Sequence, residues 1–252
     1  MENSPSTFIS GLFVALTLLL LVLILTGFYK SLSALPQYKA KARKYTGIAA
    51  AVLILWLLFL LVASVNHVFE QWNALPPRLL MVLLPPLIAA LLFVRSKKAV
   101  SLLQMIPQQS IIYVQSFRIM MEIILWALFM ENIIPKQMTF EGFNVDILVG
   151  ITAIVIGYLA MTHKISNKWI IVWNVAGLCI LANIVTIAIL SAPLYFRAFM
   201  NEPANTIIAQ FPFVWLPGFV VPVAYFLHVC SIKKAWNEIK NPVTEKTQYS
   251  LN

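Results

Sequence analysis

The chain has 252 residues, 61% of them hydrophobic and 11% charged, with a formal net charge of +9. A soluble domain carries roughly 45–50% apolar and about 25% charged residues. Together with a mean hydropathy of +0.86, this composition excludes an ordinary soluble domain and leaves room for one membrane-embedded bundle.

The opening MENSPST carries Glu2 and no basic residue, so it lacks the positive n-region of a signal peptide. The apolar run 8–29 therefore reads as an uncleaved first helix ending at Lys30. A second run, 46–66, follows Lys39, Lys41, Arg43 and Lys44. The third, 78–95, is entered through Pro76–Pro77, contains Pro85–Pro86 and is closed by Arg95, Lys97 and Lys98. Residues 99–109 have the pattern of a short interfacial helix, and a fourth long run, 110–134, stops before Pro135. The fifth, 145–162, is closed by His163, Lys164 and Lys168, and the sixth, 169–191, stops before Pro193. The aromatic connection 192–211 is too hydrophobic for a free loop and is expected at the interface or folded over the bundle. The seventh, 212–231, holds Pro217, Gly218 and Pro222 and leads into Lys233, Lys234 and a cytoplasmic tail, 232–252.

Each run reaches or approaches the roughly 20 residues that a bilayer core requires. Basic residues concentrate in 30–45, 95–109, 163–168 and after 231, whereas the alternate segments hold only Lys136 and Arg197, with Arg78 at a helix end. The positive-inside rule then predicts an all-α polytopic membrane bundle of about seven transmembrane helices, with the N-terminus outside and the C-terminus cytoplasmic. The excess of Lys and Arg implies attraction to anionic lipid headgroups on the cytoplasmic side, not nucleic-acid binding. Cys179 and Cys230 lie inside apolar runs without CxxC spacing and read as structural thiols.

Ionisable side chains inside a bilayer are costly and mark candidate sites. Gln115, Arg118 and Glu122 are spaced by three and four residues, which puts them on one helical face. On a rise of 1.5 Å per residue, Arg118 and Glu122 lie roughly 12 and 18 Å from the start of their run. They are expected to form a buried Arg118–Glu122 ion pair, with Asn174, Tyr225 and His228 in the same inner layer. An outer layer comprises Asn66, His67, Glu70, Glu131, Asn132, Asp146, Asn183, Arg197 and Glu202. His67 and Glu70 are one turn apart, but neither HExxH nor any other metal-ligand repeat accompanies them. His67, His163 and His228 fall near different membrane faces and supply no haem pair, so no cofactor is expected.

Seven helices in this orientation are similar in number to microbial rhodopsins and G-protein-coupled receptors. FVWLPGFVVPVAYFLHVC, however, offers no lysine for a retinal Schiff base, and no NPxxY motif ends the last run. The stretches QSFRIMMEIILWALFMENIIPKQMTFEGFNVDILVG (115–150) and FRAFMNEPANTIIAQFPFVWLP (196–217) resemble uncharacterised polytopic membrane proteins of Bacteroidota-type bacteria. That resemblance implies a bacterial inner membrane and no activity.

The functional expectation is a protein that binds a small or lipidic ligand in an intramembrane polar pocket, as carrier, sensor or accessory subunit. Arg118 would anchor an anionic group, Glu122 would be its counter-ion or a proton site, and Asn174 and His228 polar lining. The alternatives are an intramembrane enzyme for lipids or isoprenoids, using His67 and the outer carboxylates, and a structural subunit with a membrane-protein partner or a second copy. The enzyme requires His67, Glu70, Glu131 and Asp146 to converge.

Overall fold

The computed structural model describes residues 4–241, which are helical with no strand among them. Helical segments fall on each of the seven apolar runs, and five are long and apolar enough to cross a membrane. α1 (Thr7–Ala34) and α2 (Ala42–Val65) form an antiparallel pair, with the Ser6 hydroxyl accepting from the Ile9 amide at the start of α1. α3 (Leu79–Arg95) carries Pro85 and Pro86, and Ser96 then caps a short α4 (Lys97–Gln104). The two axes meet at 79°, so the basic run after Arg95 turns across the bundle end, where an interfacial helix is expected. α7 (Ile147–Met161) is too short to be counted among the five, and α8 (Asn167–Ser191) is one of them.

Two departures from the predicted elements matter. The run 110–134 forms one span, Gln108–Met130, whose turn tightens at Gln115 and Ser116 between α5 (Gln108–Val114) and α6 (Phe117–Met130), with amide bonds to the third residue back. The last run enters through a π-helical turn at Leu216–Val220, containing Pro217 and Gly218, and continues as α9 (Val221–Lys240). α9 thus outruns the predicted end at residue 231. An i,i+4 ion pair, Lys234–Glu238 at 2.9 Å, and a bond from Asn167 to Glu238 at 3.0 Å support its extra turns. The remainder of the predicted tail, 242–252, lies outside the described residues.

α9 is the hub: it packs along α8 on one flank and α3 on another, and also meets α5 and α4. Apolar side chains such as Val52, Leu55, Leu92, Val155 and Trp169 are exposed on the outer helices, as expected of a surface solvated by lipid. Leu32, Leu35, Ala42 and Leu102 cluster with Phe28, Tyr38, Tyr45 and Phe93, which joins the basic segments 30–45 and 95–104 at one end of the bundle. At the other end the segment 192–211 folds back over the helices. Leu194 and Ile207–Ala209 are buried, Asn205 donates to the Ala188 carbonyl at 3.0 Å, and the Ala209 carbonyl accepts from Ser64 at 2.7 Å.

Three helices, α2, α6 and α7, end on a non-glycine residue in the left-handed region: His67 (φ 55°), Asn132 (φ 56°) and His163 (φ 54°). After α6 the Asn132 amide donates to Phe129 and the Ile133 amide to Leu128. After α7 the His163 amide donates to Ala160 and the Lys164 amide to Leu159. This is the Schellman closure, which uses up carbonyls that the helix end leaves free.

Candidate functional site: a charged floor beneath an apolar cavity

Arg118 leads the site. It is fully buried on α6, and its guanidinium pairs with Asp146, at the start of α7. The expected partner, Glu122, is not the one it takes. Spacing of four residues on one helix made Glu122 the local choice, but the two helices pack side by side and bring Asp146 to the guanidinium from 28 residues away. Close packing at this level needs Gly150, where an added Cβ would meet the Ile119 side chain at 2.8 Å and its backbone nitrogen at 2.9 Å.

Glu122 is held instead by Asn144. One amide group of Asn144 reaches both Glu122 carboxyl oxygens at 2.7 Å and the Met138 carbonyl at 3.0 Å, while its Oδ1 accepts from the Asp146 amide at 3.0 Å. Both hydrogens and the oxygen of Asn144 are thereby used. Gln115, at the tightened turn between α5 and α6, accepts from Arg118 Nε at 3.3 Å and donates to the Ala224 carbonyl on α9 at 3.3 Å. The charged centre is therefore Gln115, Arg118, Glu122, Asn144 and Asp146, one guanidinium with two carboxyl groups. Arg118 Nη2 is buried without a protein partner.

Arg118, Glu122 and Asp146 form part of the lining of a partly open cavity. The rest of the wall is apolar. It comes from α3 (Leu80, Leu83), α6 (Met121, Leu125), α8 (Leu181, Val185, Ala188), the entry to α9 (Leu216, Val220) and the folded-back segment (Leu194, Phe196, Ile208). α3 and α8 sit on different flanks of α9 and make little contact with each other, and the cavity occupies the space between them.

The other inner-layer residues form a second centre, apart from the cavity wall. His228 Nδ1 lies 2.8 Å from Asn174 Oδ1, and Asn174 donates to the Ser231 hydroxyl and the Ile170 carbonyl, each at 2.8 Å. Gln108 completes it, donating to the same hydroxyl at 2.7 Å. The His228 ring lies against Gly177, whose added Cβ would run into the imidazole. Tyr225 is half-buried and takes part in neither network.

Most of the predicted outer layer is dispersed. His67 pairs with Glu70 at 3.0 Å with its side chain 75% exposed, and Asn66 bonds back to the Val62 carbonyl. Glu131 accepts from the Ser6 amide at 2.8 Å, tying the start of α1 to the end of α6. Asn183 donates to the Phe143 carbonyl. Arg197 and Glu202 pair at 3.1 Å within the folded-back segment, where Arg197 also donates to Phe199 and Asn201 carbonyls. Only Asp146 leaves this group to join the buried centre, so His67, Glu70, Glu131 and Asp146 do not converge. Among the described residues no three His, Cys, Asp or Glu side chains gather as a metal would need, and both cysteines are free.

Sequence reasoning missed Asn144, Gln108 and Ser231. The Asn144–x–Asp146 pair just before an apolar run was the available signal for the first, since such residues often anchor a helix start.

Residues 76–235 match the model of a family described as a domain of unknown function, DUF8737. The match covers more than half of the chain. The chain belongs to this family. Both polar centres and every residue lining the cavity lie within the matched region, while α1 and α2 lie outside it. No curated protein and no solved structure matches the chain.

Proposed function

We propose that this member of the family is an integral membrane protein that binds a lipidic ligand in the cavity between α3, α6, α8 and α9, as a carrier, sensor or accessory subunit. The observation that carries the reading is a buried charged centre at the wall of an otherwise apolar cavity. Apolar walls suit an alkyl or isoprenoid body, and a few convergent polar groups fix a head, which is the usual composition of a ligand pocket. A charged group inside a bundle facing such a space is also where a functional site is expected by default. In this reading the seven helical segments traverse or enter a bacterial inner membrane, with the N-terminus outside. The basic end faces the cytoplasm and its anionic lipid headgroups. The shorter α3 and α7 are accommodated by local thinning of the bilayer and snorkelling of flanking residues.

The test is native mass spectrometry of protein purified in a mild detergent, beside the variant Ala188→Trp. Ala188 lines the cavity and is only partly buried, so the indole enters the cavity and the backbone bond from Asn205 is kept. A co-purifying lipidic mass in the wild type that is lost from the folded variant supports the reading. An identical mass on both proteins, or none on either, refutes it. The enzyme alternative lacks its constellation, because the His67–Glu70 pair, Glu131 and Asp146 are each engaged with different partners.

A further inference from the structure

The head group that the cavity takes follows from an inventory of its polar floor, and this inference rests on the reading of the cavity as a ligand pocket. Arg118 cannot serve as a free anchor for an anion, because Asp146 already matches its charge. Glu122 has no cation in contact. It receives one amide group from Asn144, and the two oxygens of a carboxyl group can accept more than that, so acceptor capacity remains. Beside it, Arg118 Nη2 is a buried donor with no protein partner. Arg118 and Glu122 are four residues apart on α6 and line the same cavity, yet they are not paired with each other.

We propose that the cavity binds an amphiphile with a neutral hydroxyl head, whose oxygen accepts from Arg118 Nη2 and whose hydrogen is donated to Glu122. A hydroxyl is both donor and acceptor. A carboxylate or phosphate head only accepts when fully ionised and brings negative charge beside two carboxyl groups. An ammonium head only donates and faces the guanidinium. An anionic head sets its charge against Glu122 and Asp146. An ammonium head leaves Arg118 Nη2 unmet, and an unmet buried polar group discriminates strongly between ligands.

Three photoreactive probes test this: a diazirine-bearing alkyl chain of one length ending in a hydroxyl, a carboxylate or an ammonium group. They are added to the detergent-solubilised full chain, and cross-links to Met121, Leu125 and Val185 are mapped by peptide mass spectrometry. The hydroxyl probe is expected to label these residues at concentrations at least about tenfold below the other two. In Glu122→Gln the amide oxygen still accepts and no group there can ionise, so the carboxylate probe should close most of that gap while the hydroxyl probe still labels. Equal or better labelling by the carboxylate or ammonium probe in the wild type overturns the hydroxyl assignment but keeps the pocket. Labelling of these residues by none of the probes, or labelling that Ala188→Trp does not reduce, overturns the pocket itself.

Discussion

The two polar centres of this bundle lie one above the other along α9 and differ in kind. The Gln115–Arg118–Glu122–Asn144–Asp146 centre is charged and stands at a cavity, whereas the Gln108–Asn174–His228–Ser231 centre is made of amides, a hydroxyl and an imidazole packed against Gly177. A network of uncharged groups inside lipid joins helices at modest net cost, even with Gln108 Oε1 and His228 Nε2 lacking a protein partner here. A charged one costs several kcal/mol per ion to desolvate and yields little stability in return. The contrast assigns the second centre to holding α5, α8 and α9 together. It leaves the first as the place where burying charge has another purpose.

The largest effect follows from breaking the Arg118–Asp146 pair. Arg118→Ala leaves a buried carboxylate unmatched and is expected to cost about 3–5 kcal/mol, as is Asp146→Ala for the guanidinium. Thermal unfolding in detergent, followed by fluorescence-detected size exclusion, should show loss of most folded protein in each. The double variant Arg118→Met with Asp146→Leu should regain folding, since an apolar pair of similar volume carries no desolvation penalty. It should not regain lipidic mass in native spectra. A double variant as unstable as the singles would mean that the charges themselves hold the fold, and the contrast between the centres would fail.

Asn144→Ala comes next. It removes the donor to Glu122 and to Met138 and the acceptor for Asp146, and about 2–3 kcal/mol is expected from leaving such groups unmet. Close behind, Gly177→Ala probes the packed centre by pushing a methyl group into the His228 ring, at about 1–3 kcal/mol. His228→Ala vacates that space, so the two changes should couple, and a double-mutant cycle should return at least about 1 kcal/mol in favour of the double variant. Additive losses would mean that the helices shift apart instead of the ring bearing the clash. Neither Gly177→Ala nor His228→Ala is expected to change the bound lipidic mass, whereas Ala188→Trp removes it without loss of fold.

The helical plan was legible because a run of about 20 apolar residues has one plausible structure in lipid. The pairing was not. Arg118 and Glu122 satisfy the i,i+4 rule so well that the sequence pointed to a local ion pair, and only the packing of α6 on α7 brings Asp146 closer. The tightened turn at Gln115–Ser116 carries neither proline nor glycine and had no sequence signal, and the Gln115 side chain on it joins Arg118 to α9. His67 and Asn132 looked like site residues because they are polar at a membrane edge. Their backbone gives another reason for their position: each closes a helix in the left-handed region, as does His163.

That closure gives the smallest predicted effect and the most direct separation of site from scaffold. A left-handed conformation costs an L-residue roughly 1–2 kcal/mol, and glycine escapes this at the expense of about 0.5–1 kcal/mol of chain entropy. His163 is exposed and the closure rests on backbone bonds alone, so its side chain can be exchanged without touching a partner. His163→Gly should therefore match or exceed the wild type by a few tenths of a kcal/mol, and it should exceed His163→Ala by about 1 kcal/mol, since alanine keeps the strain. Asn132→Gly should gain less, because asparagine tolerates the conformation better than histidine. If alanine and glycine at residue 163 unfold at the same temperature, the left-handed closure is not what ends α7, and the imidazole regains a claim to a role of its own.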